Sequence, residues 1–271
     1  AQGIDINRDA RRLETPEGRT LKAVRDAVEP HFGFNLHDQD PRSRVGDADR
    51  SAAIALLAPA FNPARDIDQK RHRAMQVSSL LVHTLRPLVG DHIAKYDDTF
   101  NPRAFGDLMG AWGASTILIE SGGWWDDDPQ KQHLRKANFV GLLSALDGIA
   151  TGAYEAYGAE TYQELAYNGP RLNDLLVLGG TLAIPGLPTM EADLLVEYGR
   201  PLLRRGGIID DIGDLGEEVA RDTLRADGLY VVPLPEALGP GGALDAGAPA
   251  WFVLAEDPGG AQVRTRFEGG R

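Results

Sequence analysis

Ser115-Thr116-Ile117-Leu118-Ile119-Glu120-Ser121-Gly122 is the stretch on which the reading of this chain turns. Its first five residues form a largely apolar run rich in β-branched side chains. Such a run fits a strand inside a sheet covered on both faces. The run then closes on Glu120. A carboxylate at the end of a buried strand is costly to desolvate unless it faces a cleft or a cation. An ion pair with a nearby arginine is the plain explanation, and work as a base in a cleft is the chemical one.

The flanks of this strand read as helices. Asn101-Pro102 is a helix start, with Phe105, Leu108, Met109 and Trp112 as the expected buried face and Arg103 in the first turn. Pro129–Tyr157 reads as a long amphipathic helix whose Leu134, Phe139, Leu142, Leu143, Leu146 and Ile149 should pack on the sheet. Further upstream, Gly3–Asn7 reads as a buried strand running into a loop, and His31–His37 as a second strand. Between them Thr15-Pro16-Glu17 opens a helix that presents Leu21, Val24 and Val28 on one face. Asp38–Ala48 is polar loop, Ala52–Ala58 a short apolar segment, Gln69–Leu85 a helix, and residues 86–101 are loop-rich and contain Tyr96. After about Ala159 the pattern changes to short strand candidates separated by Gly and Pro: Asp174–Val177, Gly180–Ala183, Ala192–Val196, Gly207–Ile212, Gly228–Val232 and Trp251–Ala255. This is the pattern of a small antiparallel β module. The division expected is 1–158 and 159–271.

Composition sets bounds. A length of 271 residues with 42% hydrophobic residues supports one large or two smaller domains with a substantial core. The net charge of -12 argues against nucleic acid, whose phosphates call for clustered Lys and Arg. There is no cysteine, so any metal site must use His, Asp or Glu. No apolar run approaches the ~20 residues of a membrane span.

Three short pieces end on residues able to do chemistry: Gly3-Ile4-Asp5-Ile6-Asn7-Arg8-Asp9, Phe34-Asn35-Leu36-His37-Asp38 and Ile117-Leu118-Ile119-Glu120-Ser121-Gly122. A guanidinium beside an amide suits a carboxylate ligand, though a surface Arg8 paired with Asp9 or Glu14 would look the same. On a strand Asp5 shares a face with Asn7. His37 at a strand end is a normal imidazole donor for zinc, or a satisfied structural histidine. In this order the pieces resemble the zinc carboxypeptidase family, the carboxypeptidase A-like metallopeptidases. The resemblance covers roughly Gly3 to Tyr157.

The resemblance implies an α/β sandwich of three layers around a mixed, twisted sheet, with zinc and substrate at the carboxyl ends of the strands. It implies that residues 1–158 are the C-terminal part of such a catalytic domain, and that 159–271 is an accessory module. Asn7 and Arg8 would hold the C-terminal carboxylate of a peptide, or that of an acylated amino acid. His37 would bind zinc, Asp5 would fix the tautomer of a zinc-ligating histidine, and Glu120 would be the general base. Tyr96 matches the family's mobile tyrosine, with an aromatic anchor as the alternative. Arg103 lies where the family lines the pocket for the terminal side chain and would favour acidic residues, with a solvated helix-start arginine as the alternative. The family's His-x-x-Glu motif is absent, so the chain is expected to begin inside its catalytic domain and to bind zinc weakly by itself. A rival expectation is a non-catalytic protein that binds a peptide or cell-wall fragment through a degenerate site. The segments following Asp174, Ala192 and Gly228 are similar to the small β-sandwich of metal-dependent amidohydrolases, as any short β-meander with Gly turns is. His31, His72, His83, His92 and His133 show no paired ligand spacing, and Trp124–Asp128 reads as a packed loop before a sugar platform or calcium site.

Overall fold

The computed structural model describes residues 3–124 and 130–270 and divides them into two units. The first contains 3–47, 51–124 and 130–170; the second contains 48–50 and 171–270. In the first unit the helices are α1 (Pro16–Val28), α2 (Gln69–Val89), α3 (Phe105–Ala111), α4 (Gln132–Thr151) and α5 (Glu160–Gln163). Its strands are β1 (Phe32–Asp38), β2 (Ser43–Val45), β3 (Ile54–Leu57), β4 (Ile93–Lys95) and β5 (Ser115–Ser121). β6 (Asn168–Arg171) ends this part of the chain and pairs with β2.

The main sheet has the order β1-β5-β3-β4. It is mixed: β1 is parallel to β5, β5 antiparallel to β3, and β3 parallel to β4. β3 and the first five residues of β5 are buried throughout, as a strand covered on both faces must be. Ile54, Leu56, Ile117 and Ile119 share one core with Val77, Leu81 and Leu85 of α2 and Leu134 of α4. α3 packs on β5 from the other side. The result is a three-layer α/β sandwich around a mixed sheet.

Two expectations from the sequence need correction. Gly3–Asn7 is not a strand; a 3-10 turn occupies Ile6–Arg8. The Asp5 carboxylate accepts a hydrogen bond from the Asn7 N–H at 2.9 Å, which offers the backbone an alternative to a sheet ladder. On α4, Phe139, Leu143 and Leu146 are 68%, 58% and 57% exposed. The buried stripe is instead Ala137, Gly141, Ala145 and Gly148. Small residues let the helix axes approach, and a Cβ on Gly148 would meet Leu80 of α2 at 2.6 Å. On α1, Leu21, Val24 and Val28 share one face, as expected, and that face lines an open groove with Phe34 and Phe105. That helix is held by polar ties: Thr15 caps it by accepting from the Gly18 N–H, and Arg25 donates to the Trp112 carbonyl.

α2 also runs past the expected Leu85 to Val89, with Pro87 in its last turn. α5 delivers Tyr162 into the core, where its hydroxyl accepts from the Ala58 N–H at 3.0 Å. Burial pushes this phenol up to about 12, so it stays neutral. Tyr162→Phe leaves the buried Ala58 N–H without an acceptor. The expected loss is about 1–3 kcal/mol, read from urea unfolding; an unchanged midpoint would show that another group takes over.

The second unit is a β-sandwich. Its strands are β7 (Asn173–Leu178), β8 (Thr181–Leu182), β9 (Met190–Glu191), β10 (Asp193–Arg200), β11 (Arg205–Gly213), β12 (Ala220–Arg225), β13 (Tyr230–Pro233), β14 (Trp251–Ala255) and β15 (Val263–Glu268). They form two sheets, β11-β10-β7-β12 and β15-β14-β13-β8-β9. Most neighbours are antiparallel; β12 beside β7 and β13 beside β8 are parallel. Val177, Val196 and Ile209 of one sheet meet Val231, Phe252 and Leu254 of the other in a shared core. The inward alternation of apolar residues along these strands is what two face-packed sheets require.

Candidate active site

The parallel register of β1 and β5 sets His37 opposite Glu120. Residues opposite one another in a ladder project to the same side. That side also carries Asn35, whose amide approaches Gly106 of α3. Glu120 is half-buried, and burial pushes its carboxyl above the usual carboxylate range. The His37 imidazole opposes that shift and the Asp38 charge adds to it. Glu120 lines a cleft of about 890 Å³ with Tyr96, Arg65, Asp38, Gln39 and Tyr167.

Tyr96 follows β4, and its N–H donates to the Leu56 carbonyl at 2.8 Å. Its phenol is pushed up by burial first, then by the charges of Glu120 and Asp97, while Arg8 pulls it down. The tyrosine hydroxyl is therefore within electrostatic reach of both Glu120 and Arg8.

Asn7 and Arg8 sit in the 3-10 turn rather than at a strand end. The Asn7 side-chain oxygen accepts from the Phe105 N–H at 3.0 Å and ties the turn to the start of α3. Arg8 donates to the Asn7 carbonyl at 2.7 Å, and its Nε lies 3.9 Å from Asp5. Asp5 is exposed and caps the turn; the shared strand face expected for Asp5 and Asn7 does not form. α3 begins at Phe105, so Arg103 lies in the turn before it rather than in its first turn. Its N–H donates to Asn101 at 3.1 Å and its carbonyl accepts from Ala10 at 3.1 Å.

The sequence reading did not single out Asp107, Arg65 or Tyr167. Asp107 closes the loop before α3 by accepting from the Asn101 N–H at 2.9 Å. Burial pushes its carboxyl up, while that hydrogen bond, Arg8 and Arg71 pull it down. An acid in the first turn after Asn101-Pro102 was the visible signal. Arg65 and Tyr167 carry no motif; folding alone brings them to the cleft.

Gly122, just past β5, shows why the strand ends as it does. Its N–H donates to the Ala53 carbonyl at 2.9 Å, and a Cβ there would overlap the Ala52 carbonyl oxygen. Gly122→Ala is expected to shift the end of β5, costing about 1–3 kcal/mol and moving Glu120. Thermal unfolding checks the first effect; a variant as stable as the parent would remove the close-approach reading.

Among the described residues no three His, Asp or Glu side chains come together in a way that could hold a metal ion. His37 is one imidazole donor, and tetrahedral zinc needs more than one protein ligand. The described residues therefore do not fit a complete zinc site. Two other histidines have structural partners: His92 Nδ1 lies 2.8 Å from the Ser51 carbonyl, and His133 Nε2 lies 2.8 Å from that of Leu88. Trp124 stacks on His133 with centroids 4.5 Å apart, while Trp125–Asp128 lie outside the described residues. Among the described residues no helix is long and apolar enough to cross a membrane.

No family model matches the chain, and no curated protein does. Among solved structures, an N-acyl-D-glutamate deacylase from Bordetella bronchiseptica, complexed with zinc and a phosphonate inhibitor, is 33% identical. The match covers 23% of this chain and 12% of that one, with a TM-score of 0.20. A D-aminoacylase mutant in complex with copper chloride is 27% identical over 22% of this chain and 11% of its own, with a TM-score of 0.19. The chain thus matches about an eighth or less of either protein's length, and at these TM-scores the likeness carries no argument.

Proposed function

We propose that the first unit supplies the base and the substrate-binding side of a hydrolytic site of the zinc carboxypeptidase type. Its substrates are peptides or acylated amino acids, cleaved at the amide bond next to a free carboxylate. The observation that supports this reading is the pairing of His37 with Glu120 at the end of β1 and β5, with Tyr96 in the same cleft as Glu120.

Each residue has a role its chemistry permits. Glu120, as carboxylate, takes a proton from the attacking water and delivers it to the leaving amine. The Tyr96 hydroxyl, kept neutral by its surroundings, is a donor for the oxygen that gains charge. Arg8 engages the substrate carboxylate. Asn7, whose side-chain oxygen already accepts from Phe105, positions Arg8 against α3. His37 is the imidazole that stands opposite Glu120, and the described residues do not complete a zinc ligand set around it.

The test is direct. The chain is supplied with zinc and a panel of short peptides and N-acyl amino acids, and release of the terminal amine is followed. Release that requires a free carboxylate on the substrate supports the reading. Binding of the same compounds with no release at any zinc concentration would mark the chain as a binding protein instead.

A further inference from the structure

Four arginines, Arg8, Arg11, Arg12 and Arg103, line a single cleft of about 800 Å³. In a chain whose net charge is -12 this is a local inversion of sign. The acids that share the cleft are Asp5, Asp9 and Glu14, and two of them are engaged. Asp9 is buried and accepts from the Glu14 N–H at 3.0 Å, the Thr15 N–H at 2.8 Å and the Thr15 hydroxyl at 2.7 Å. Asp5 accepts from the Asn7 N–H and faces Arg8 at 3.9 Å. Among the described residues the guanidinium groups of Arg11, Arg12 and Arg103 have no ion pair or hydrogen bond.

The segment carrying these side chains is fixed. Leu13 closes a tight turn by donating to the Asp9 carbonyl at 2.8 Å, with its own φ at +56°. Ala10, fully buried, donates to the Arg103 carbonyl at 3.1 Å and holds residues 8–12 against the start of α3. Unpaired guanidinium groups held close together repel one another, and an anion relieves that repulsion while accepting charge-assisted hydrogen bonds. The cleft also neighbours the candidate active site: Arg8 lines it, the adjacent Asn7 accepts from the Phe105 N–H at the start of α3, and Gly106 of α3 meets Asn35 on the His37 side of β1.

We infer that this cleft recognises a second carboxylate. Resting on the function proposed above, the substrate class is then peptides or acyl compounds that end in a dicarboxylic amino acid, with Arg8 on the main-chain carboxylate and Arg11, Arg12 and Arg103 on the side-chain one. Binding is measured without turnover, by calorimetric titration with N-acetyl-L-glutamate and with N-acetyl-L-glutamine, which has the same shape and one charge fewer.

The expected preference for the glutamate compound is about tenfold or more, shrinking as salt rises. Arg103→Gln and the pair Arg11→Gln with Arg12→Gln should each reduce that preference and leave glutamine-compound binding unchanged. These are surface replacements, and the salt dependence of the parent chain is a readout that needs no variant. Equal affinity for the two compounds overturns the inference. So does inorganic phosphate that displaces both equally well, since the cleft would then be a general anion site. The two readings fail separately: preference without any hydrolysis removes the enzyme and keeps the cleft, whereas hydrolysis with equal kcat/KM for acidic and neutral termini removes the cleft and keeps the enzyme.

Discussion

Glu120→Gln is expected to lower turnover by about 10²–10⁴ or more while leaving the fold and substrate binding in place. The replacement keeps the shape of a half-buried side chain and removes only its ability to carry a proton. Burial already disfavours the charged form of Glu120, so a neutral amide removes a cost to folding rather than adding one. The carboxyl's folded-state value lies above its ordinary one, so its contribution to stability is present at low pH and lost as pH rises through the raised value. At neutral pH the glutamine variant should therefore be no less stable than the parent. Activity should show the opposite pH sense. The base works only when ionised, so turnover of the parent falls as pH drops through the raised value, and that acid limb disappears in the variant. A Glu120→Gln chain that hydrolyses at the parent rate removes the proposed mechanism, whatever the substrate.

Arg71→Met is the replacement expected to cost most in stability, about 3–5 kcal/mol. Arg71 is buried, and each of its three guanidinium nitrogens donates a hydrogen bond. Nη2 donates to Asp98 at 2.6 Å, Nε to the Ala58 carbonyl at 3.1 Å, and Nη1 to the Arg65 carbonyl at 2.6 Å. Methionine fills much of the same space and satisfies none of these acceptors. The carboxylate of Asp98 and two carbonyls are then left in a low-dielectric place, and that penalty exceeds the net worth of the bonds themselves. Arg65, which also reaches Asp98 at 2.9 Å, can recover only part of it. A urea midpoint that falls with an unchanged slope identifies a loss of stability rather than a change of denatured state. The paired variant Arg71→Met with Asp98→Leu should recover much of the loss. A single variant that shifts the midpoint by less than about 1 kcal/mol would mean that Arg65 alone satisfies the site. Arg65 belongs to this network and lines the cleft, so the same change should weaken substrate binding.

The parts of the fold that could be read from the sequence are those where one signal dominates. β5 opens on five consecutive buried residues, and α1 opens on Thr15-Pro16 with the expected cap. Where two signals compete, the reading erred. Ile4 and Ile6 suggested a strand, but the Asp5 side chain bonds its own backbone first. Leu143 and Leu146 suggested the buried face of α4, but glycine and alanine form the face that can approach α2. β12 and β15 were passed over because charged residues recur along both, as at Arg221, Asp222 and Arg225, and such strands suit the edges of a sheet. The candidate site was legible only in pieces. His37 and Glu120 each mark the end of an apolar run, yet nothing in their spacing says that they are neighbours. Arg11 and Arg12 belong to no motif in the sequence; the turn through Asp9 and Leu13 sets them in one cleft with Arg103.

The register of β1 against β5 also bears on how such a chain can change over generations. His37 and Glu120 are neighbours because of backbone pairing, so exposed loops between the two strands are free to grow or shrink without moving one relative to the other. Insertions in such loops should therefore be tolerated and could reshape the mouth of the cleft. A single deletion inside Phe32–Leu36 is different, since it would rotate His37 to the far side of the sheet from Glu120. Natural variation in this protein should gather in its loops, where new substrates can be tried, and be almost silent in the length of two short strands.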